Sequence, residues 1–221
     1  MPRLARLVLP GYPHHVTQRG NYQQQVFRTD SDYSFYLGLL NKYAKEYLLS
    51  IVSFCLMPNH VHFICVPENK DSLANTFKIT HTVYSQYFNA KNKLKGHLWQ
   101  GRFYSSILDE QYLYAALRYV ERNPTRAALA QKPWDWKWSS ACSRVKGEAS
   151  KIVLADIAQF VEIENWVNFL SEQDDQGVGV AIKNSTLAGR PYGNDAFVTR
   201  IEKIFNVGLL PSKRGRPRVN N

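Results

Sequence analysis

Cysteine is nearly missing: Cys55, Cys65 and Cys142 are the only three among 221 residues, and no two of them stand in a CxxC spacing. An odd count without that spacing argues against a disulfide scaffold and a thiolate zinc site, leaving reduced, buried thiols as the simpler reading. Long apolar runs are missing too. No stretch approaches the roughly 20 residues that a spanning helix requires. The opening MPRLARLVLPGYPHH is too short and too broken by Pro and Gly for a signal peptide. The expectation is a soluble, cytoplasmic protein with no membrane partner. Carboxylates are scarce relative to cations, 18 Asp and Glu against 28 Lys and Arg, for a formal net charge of +10.

That cationic excess is uneven. Residues 1–150 hold 19 Lys and Arg against 10 Asp and Glu, whereas residues 151–221 hold 9 against 8, with four of the nine in the last nine positions. Charge concentrated in this way favours a nucleic-acid partner over a merely solubilising surface.

Hydrophobic periodicity organises the chain. HHVTQR, residues 14–19, alternates as a short strand, and Asp30 or Ser31 can cap a helix whose stripe is Tyr33, Tyr36, Leu37, Leu40, Ala44 and Tyr47. LSIVSFCL and HVHFICV read as two strands joined at Met57-Pro58-Asn59. A second helix is expected from about Ser72 to Ala90, a fourth strand in WQGRFYSSIL and a third helix from about Glu110 to Arg122. The order β-α-β-β-α-β-α predicts an α+β, ferredoxin-like antiparallel sheet with helices on one side. The first domain is expected to span residues 1–146 and a helical C-terminal extension residues 147–210. In that extension VLADIAQFV, IENWVNFLSE and DAFVTRIEKIF are amphipathic, and a Gly-rich, flexible-looking segment separates the second from the third. The tail, residues 211–221, is too charged and too poor in apolar groups to pack alone.

Residues 56–66, LMPNHVHFICV, place two histidines inside a strand pattern. His60 and His62 project to one face, while Val61, Phe63 and Cys65 project to the other. Two buried imidazoles without partners are costly, and ligation of one divalent ion removes that cost for both. For an isolated HxH, hydrogen bonding to backbone or half-exposure at the strand start is the commoner explanation. RYVERNPTRA shifts the balance. Tyr119 and Asn123 are four apart on a helix, a tyrosine can act as a covalent nucleophile, and an amide oxygen suits a hard ion. Arg118, Arg122 and Arg126 supply donors for phosphates around them. Pro124 biases Asn123 away from helical geometry, which loosens that alignment. An ordinary core aromatic is the alternative for Tyr119, one of thirteen tyrosines.

MPNHVHFICVPE, LRYVERNPTRAALA and WKWSS, with HHVTQRGNYQQQVF at the start, resemble the REP-associated tyrosine transposases of the single-tyrosine HUH (histidine, hydrophobic, histidine) superfamily. The similarity covers roughly residues 10–142. It implies a catalytic domain that cuts and rejoins single-stranded DNA beside palindromic hairpins through a 5′-phosphotyrosine. By position, the resemblance makes His60 and His62 the ligands of Mg²⁺ or Mn²⁺, Tyr119 the nucleophile and Asn123 the third ligand, where relatives often carry Gln. It also implies single-stranded and hairpin DNA as partners, a nucleoid-associated protein, and action as a monomer or homodimer.

Arg3, Arg19, Asn21, Arg102 and the KNKLKGH loop are candidate DNA readers, although an isolated Arg is more often a solvated surface group. In the tail, Arg214 and Arg216 belong to KRGRPR, similar to an AT-hook that enters the minor groove of A·T-rich duplex. Competing readings are a non-catalytic DNA-binding regulator derived from a transposase, a replication-initiator-type nickase, and a water-using metallohydrolase. The last is weakened by the absence of a carboxylate from the histidine motif.

Overall fold

The structure, a computed structural model, describes residues 6–173 and 176–209. Arg3 and the basic tail with Arg214 and Arg216 lie outside the described residues. Strands β1 (His14–Arg19), β2 (Leu49–Met57), β3 (His60–Pro67) and β4 (Tyr104–Ile107) form one antiparallel sheet in the order β2-β3-β1-β4. Helices α1 (Asp30–Glu46) and α2 (Ser72–Asn92) make the two crossovers that interleave the strands, which is the ferredoxin-like α+β arrangement. The chain enters α1 through Thr29, whose backbone N–H donates to Asp32 Oδ2 at 2.9 Å. This satisfies a donor that the first helical turn would otherwise leave without a partner.

Strand alternation divides the core in two. Val61, Phe63 and Cys65 point to the α1–α2 side, where they are buried with Val16, Phe54, Leu37, Leu40, Phe77 and Tyr84. The opposite face carries Val52, Cys55, Ile64 and Val66. It is covered by α3 (Glu110–Glu121), which buries Leu113, Leu117 and Val120 against it, and by residues of α5 (Ser140–Lys146), α6 (Trp166–Ser171) and α7 (Gln176–Ala188). A single-turn helix α4 (Asn123–Arg126) follows α3 directly, and α8 (Asp195–Phe205) packs Phe197 and Ile201 against Ile107 beside β4. Tyr192 bonds to Ile107 and Asp109 through its backbone and so covers the outer edge of β4.

Two sequence expectations are corrected here. VLADIAQFV holds only a 3₁₀ turn at Ile157–Gln159, and the Gly-rich segment expected to be a flexible connection contains α7, a helix of 13 residues. Gly disfavours a helix by about 1 kcal/mol relative to Ala, and α7 carries Gly177 and Gly179 in its first turn. Burial of Ile182 and Thr186 against the second face overrides that local preference.

The helix that carries Tyr119 is anchored at its end. Glu121, fully buried, accepts from Ser140 Oγ at 2.6 Å and Ser53 Oγ at 3.0 Å and pairs with Arg144. Arg144 also lies 4.3 Å over the Trp166 ring. Removing one partner leaves a desolvated charge alone, a loss of about 3–5 kcal/mol. Arg144→Met should therefore lower unfolding stability by that order, measured by urea denaturation. A change below about 1 kcal/mol would mean that the network does not hold α3 in place.

Candidate active site

The register of β1 against β3 builds the site. Thr17 stands opposite His62, Arg19 opposite His60 and His15 opposite Ile64. Residues facing each other across a sheet share a side, so His15, Thr17 and Arg19 join His60 and His62 on the face that α3 covers. The His60 and His62 rings meet edge to face with centroids 5.0 Å apart. His62 lies nearly parallel to His15, with His15 Nε2 2.9 Å from His62 Nδ1. The far nitrogen of His15, Nδ1, is 2.7 Å from the hydroxyl of Thr186 on α7.

His60 has a defined tautomer. Its Nδ1 is 2.6 Å from Asn59 Oδ1. An amide oxygen only accepts, so His60 Nδ1 donates and Nε2 keeps its lone pair. Burial pushes His60 down to about 4, with Arg19 and Lys183 acting in the same direction. His62 is pushed well below the ordinary range by burial and then by the neighbouring His60 and His15, and His15 is pushed to about 3. At neutral pH all three rings are uncharged, which is the form that can ligate a metal.

Tyr119 reaches this group from α3. Its ring stands perpendicular to both His15 and His62, with centroids 5.7 Å from each. The Arg126 guanidinium lies 4.3 Å over the ring and also donates to the Tyr119 carbonyl. Burial raises the phenol above its ordinary value, while Arg126 and then Arg19 act against that rise by favouring the phenolate. Helix α7 passes so close to the ring that a Cβ on Gly179 would sit 3.3 Å from Tyr119 Cδ2. Glycine permits this approach.

Asn123 sits just beyond the helix break. Arg122, at φ −89° and ψ 2°, ends α3, and Pro124 falls in the first turn of α4. The Asn123 amide nitrogen donates to the carbonyls of Tyr119 at 3.0 Å and Val120 at 3.2 Å, which leaves Oδ1 as the atom suited to a metal. Among the described residues, no group of three or more His, Cys, Asp or Glu converges as a metal site. Any ion on the two histidines would take its remaining donors from oxygen atoms of other kinds. Two neutral imidazoles with an amide oxygen fit a borderline or hard divalent ion.

The remaining sequence candidates separate. Arg19 and Arg126 flank the histidines and the tyrosine. Arg118 ion-pairs with Glu172 and lies over Tyr114 and Phe169, and Arg122 donates to the Glu172 carbonyl. Both therefore face the α6 end rather than the histidines. Asn21 and Arg102 line a groove of about 950 Å³ with Arg6, Lys78, His97 and Gln100, between α2 and the loop before β4. Gln100 in this groove donates its backbone N–H to the Arg19 carbonyl at the end of β1, while α2 lies across the sheet from the face that α3 covers. Sequence reasoning missed Asn59, His15, Lys183 and Thr186. His15 had a visible signal, because HHVTQR places it two residues from Thr17 on one strand face. The two α7 residues had none.

An antiparallel sheet whose central strand β3 carries a histidine pair is thus faced by a helix carrying a tyrosine. A family model described as Transposase IS200 like matches residues 10–123, just over half of the sequence, and the chain belongs to that family. Among solved structures, a REP-associated tyrosine transposase bound to a REP hairpin is similar in fold. The TM-score is 0.51 at 19% identity, covering 74% of this chain and 96% of that one. A candidate transposase from Deinococcus radiodurans R1 gives a TM-score of 0.38 at 16% identity, over 55% of this chain and 97% of that one. No curated protein sequence matches the chain. Among the described residues, no helix is long and apolar enough to cross a membrane.

Proposed function

We propose that the protein is a metal-dependent single-stranded DNA endonuclease and strand transferase of the REP-associated kind, acting beside palindromic hairpins through a 5′-phosphotyrosine intermediate. The observation that carries this reading is the Tyr119 ring standing 5.7 Å from His62, itself edge to face with His60. The ring of the proposed nucleophile thus lies beside the proposed ligand pair, which supports the reading.

His60 and His62 would hold Mg²⁺ or Mn²⁺, with Asn123 Oδ1 as the protein oxygen donor. When bound, such an ion supplies charge stabilisation at a non-bridging oxygen of the scissile phosphate. The chain does the rest. The Tyr119 oxygen bonds to phosphorus, the P–O3′ bond breaks, the 3′ oxygen takes a proton and the phenol loses its own. Arg126 and Arg19 favour the phenolate that forms on the way. A 3′-hydroxyl from another strand can reverse the step and rejoin DNA, because the tyrosine ester conserves the phosphodiester energy.

The groove with Arg6, Asn21, Lys78 and Arg102 is suited to the backbone of a hairpin or its flank, since cations along a groove displace condensed counterions. The tail with Arg214 and Arg216 would add non-specific or A·T-directed duplex contacts, and the same charge would favour association with the nucleoid. One active site per chain is consistent with action as a monomer, and a homodimer would carry two.

The test uses two preparations of one hairpin DNA with a single-stranded flank, labelled at the 3′ or the 5′ end. With Mn²⁺, the 3′-labelled piece should stay on the protein through SDS, and the 5′-labelled piece should leave as a free fragment. Cleavage without an adduct would point to water as the nucleophile, and no cleavage of any hairpin or flank would favour a DNA-binding regulator.

A further inference from the structure

The hydrogen bonds around His15 have one consistent direction. Thr186 Oγ1 is 2.8 Å from the Ile182 carbonyl one turn back along α7, and a carbonyl oxygen only accepts. Two oxygens at that distance need a hydrogen between them, so the single hydroxyl hydrogen goes to Ile182 if both Thr186 contacts are to be hydrogen bonds. The contact at 2.7 Å between Thr186 Oγ1 and His15 Nδ1 then needs its hydrogen from the ring, so His15 carries it on Nδ1. His15 Nε2 is left with a lone pair. It lies 2.9 Å from His62 Nδ1, and of two neutral imidazoles joined by one N···N contact, one donates and the other accepts. His62 Nδ1 must donate. The chain of donors runs from His62 to His15 to Thr186 to the Ile182 carbonyl, each link buried.

We infer that His15 and Thr186 are positioning residues that fix His62 as the Nδ1–H tautomer, so that its only free lone pair is on Nε2. His60 reaches the same state by the shorter route through Asn59 Oδ1. The two histidines of the motif thus present the same nitrogen by different means. One is set within the β2–β3 turn, the other by a helix outside residues 10–123, the segment that the family defines. The ring partner of a ligating histidine sets both its tautomer and its orientation. The consequence for metal binding rests on the functional reading above, whereas the tautomer assignment does not.

Thr186→Val keeps the shape of the side chain and removes the oxygen that accepts from His15. A buried N–H without an acceptor is costlier than an unused ring lone pair. His15 should therefore move its hydrogen to Nε2, donate to His62 Nδ1 and force His62 into the Nε2–H form. One hydroxyl would switch two rings. His15→Phe should give the same His62 tautomer by removing the acceptor directly, and Thr186→Ser should behave as the wild type.

Long-range ¹H–¹⁵N correlation spectra of the metal-free protein report which nitrogen of each histidine is protonated. The expected result is His62 Nδ1–H in the wild type and Thr186→Ser, and Nε2–H in Thr186→Val and His15→Phe. Amide spectra establish that each variant is folded. Mn²⁺ titrations followed by electron paramagnetic resonance should then show affinity about 10- to 100-fold weaker in the two switched variants. Nε2–H on His62 in the wild type, or Nδ1–H retained in folded Thr186→Val, would overturn the assignment. Switched tautomers with unchanged Mn²⁺ affinity would overturn the positioning role. Because the spectra need no metal, a wild type that binds no Mn²⁺ would defeat the functional reading while the spectra still decide the tautomer.

Discussion

Tyr119→Phe is expected to abolish the covalent DNA adduct and to slow cleavage by about 10³-fold or more, with hairpin affinity changed by no more than about twofold. The substitution removes one oxygen and keeps the ring, so the contacts with His15, His62 and Arg126 survive. A loss of this size with binding intact therefore reports chemistry and not folding. The pH dependence provides an independent check. Burial holds the Tyr119 phenol above its ordinary value, so the rate should rise with pH through the alkaline range as the proton becomes easier to remove. Arg126 favours the phenolate, and Arg126→Gln should displace that rise to still higher pH. An adduct that persists in Tyr119→Phe would transfer the nucleophile to another tyrosine. A rate flat with pH in both proteins would remove the phenol proton from the rate-determining step.

EDTA, His60→Ala and His62→Ala should each reduce cleavage by about 10²-fold or more, because a divalent ion at a phosphoryl centre supplies several kcal/mol of charge stabilisation. The three treatments should not add. EDTA applied to either variant should have little further effect, since both remove the same ion. The two alanine variants should differ in stability, however. His62 is buried and linked to His15, whereas His60 is half-buried and linked to Asn59 beside it in sequence. His62→Ala leaves a cavity and an unpartnered His15 nitrogen, a cost of about 1–3 kcal/mol measured by thermal or urea unfolding. Cleavage that survives all three treatments would take the metal out of the reaction.

Much of the fold was legible because its signals are local. Strand β1 begins and ends where the alternation of HHVTQR does, and of the α2 stripe implied by spacing, Leu73, Phe77, Tyr84 and Phe88 are buried while Val83 and Tyr87 are only partly covered. Of the candidate site, Tyr119 and the histidine pair were singled out by residue type and spacing together with the family resemblance, and the structure brings their rings together. A break near Pro124 was readable as well, since proline disfavours helical geometry in the residue before it, but the break falls one residue earlier, at Arg122, and Asn123 opens α4. Arg118 and Arg122 illustrate the opposite case. Their charge suggested phosphate contacts, but their direction depends on Glu172, fifty or more residues away in sequence and adjacent only in the fold.

By itself the sequence determined the strand faces and the helix stripes, which follow from periods of two to four residues, and the excess of cations, which follows from composition. Only the tertiary structure decided that a glycine-bearing segment becomes α7 and that its Thr186 reaches His15. Helix propensity there is poor, and the stabilisation comes from burial against a sheet face whose strands lie far earlier in the chain, from β1 to β4. A hydrogen-bond direction that passes through three residues from separate elements has no local signature, because it exists only once strand register and helix packing have set the distances.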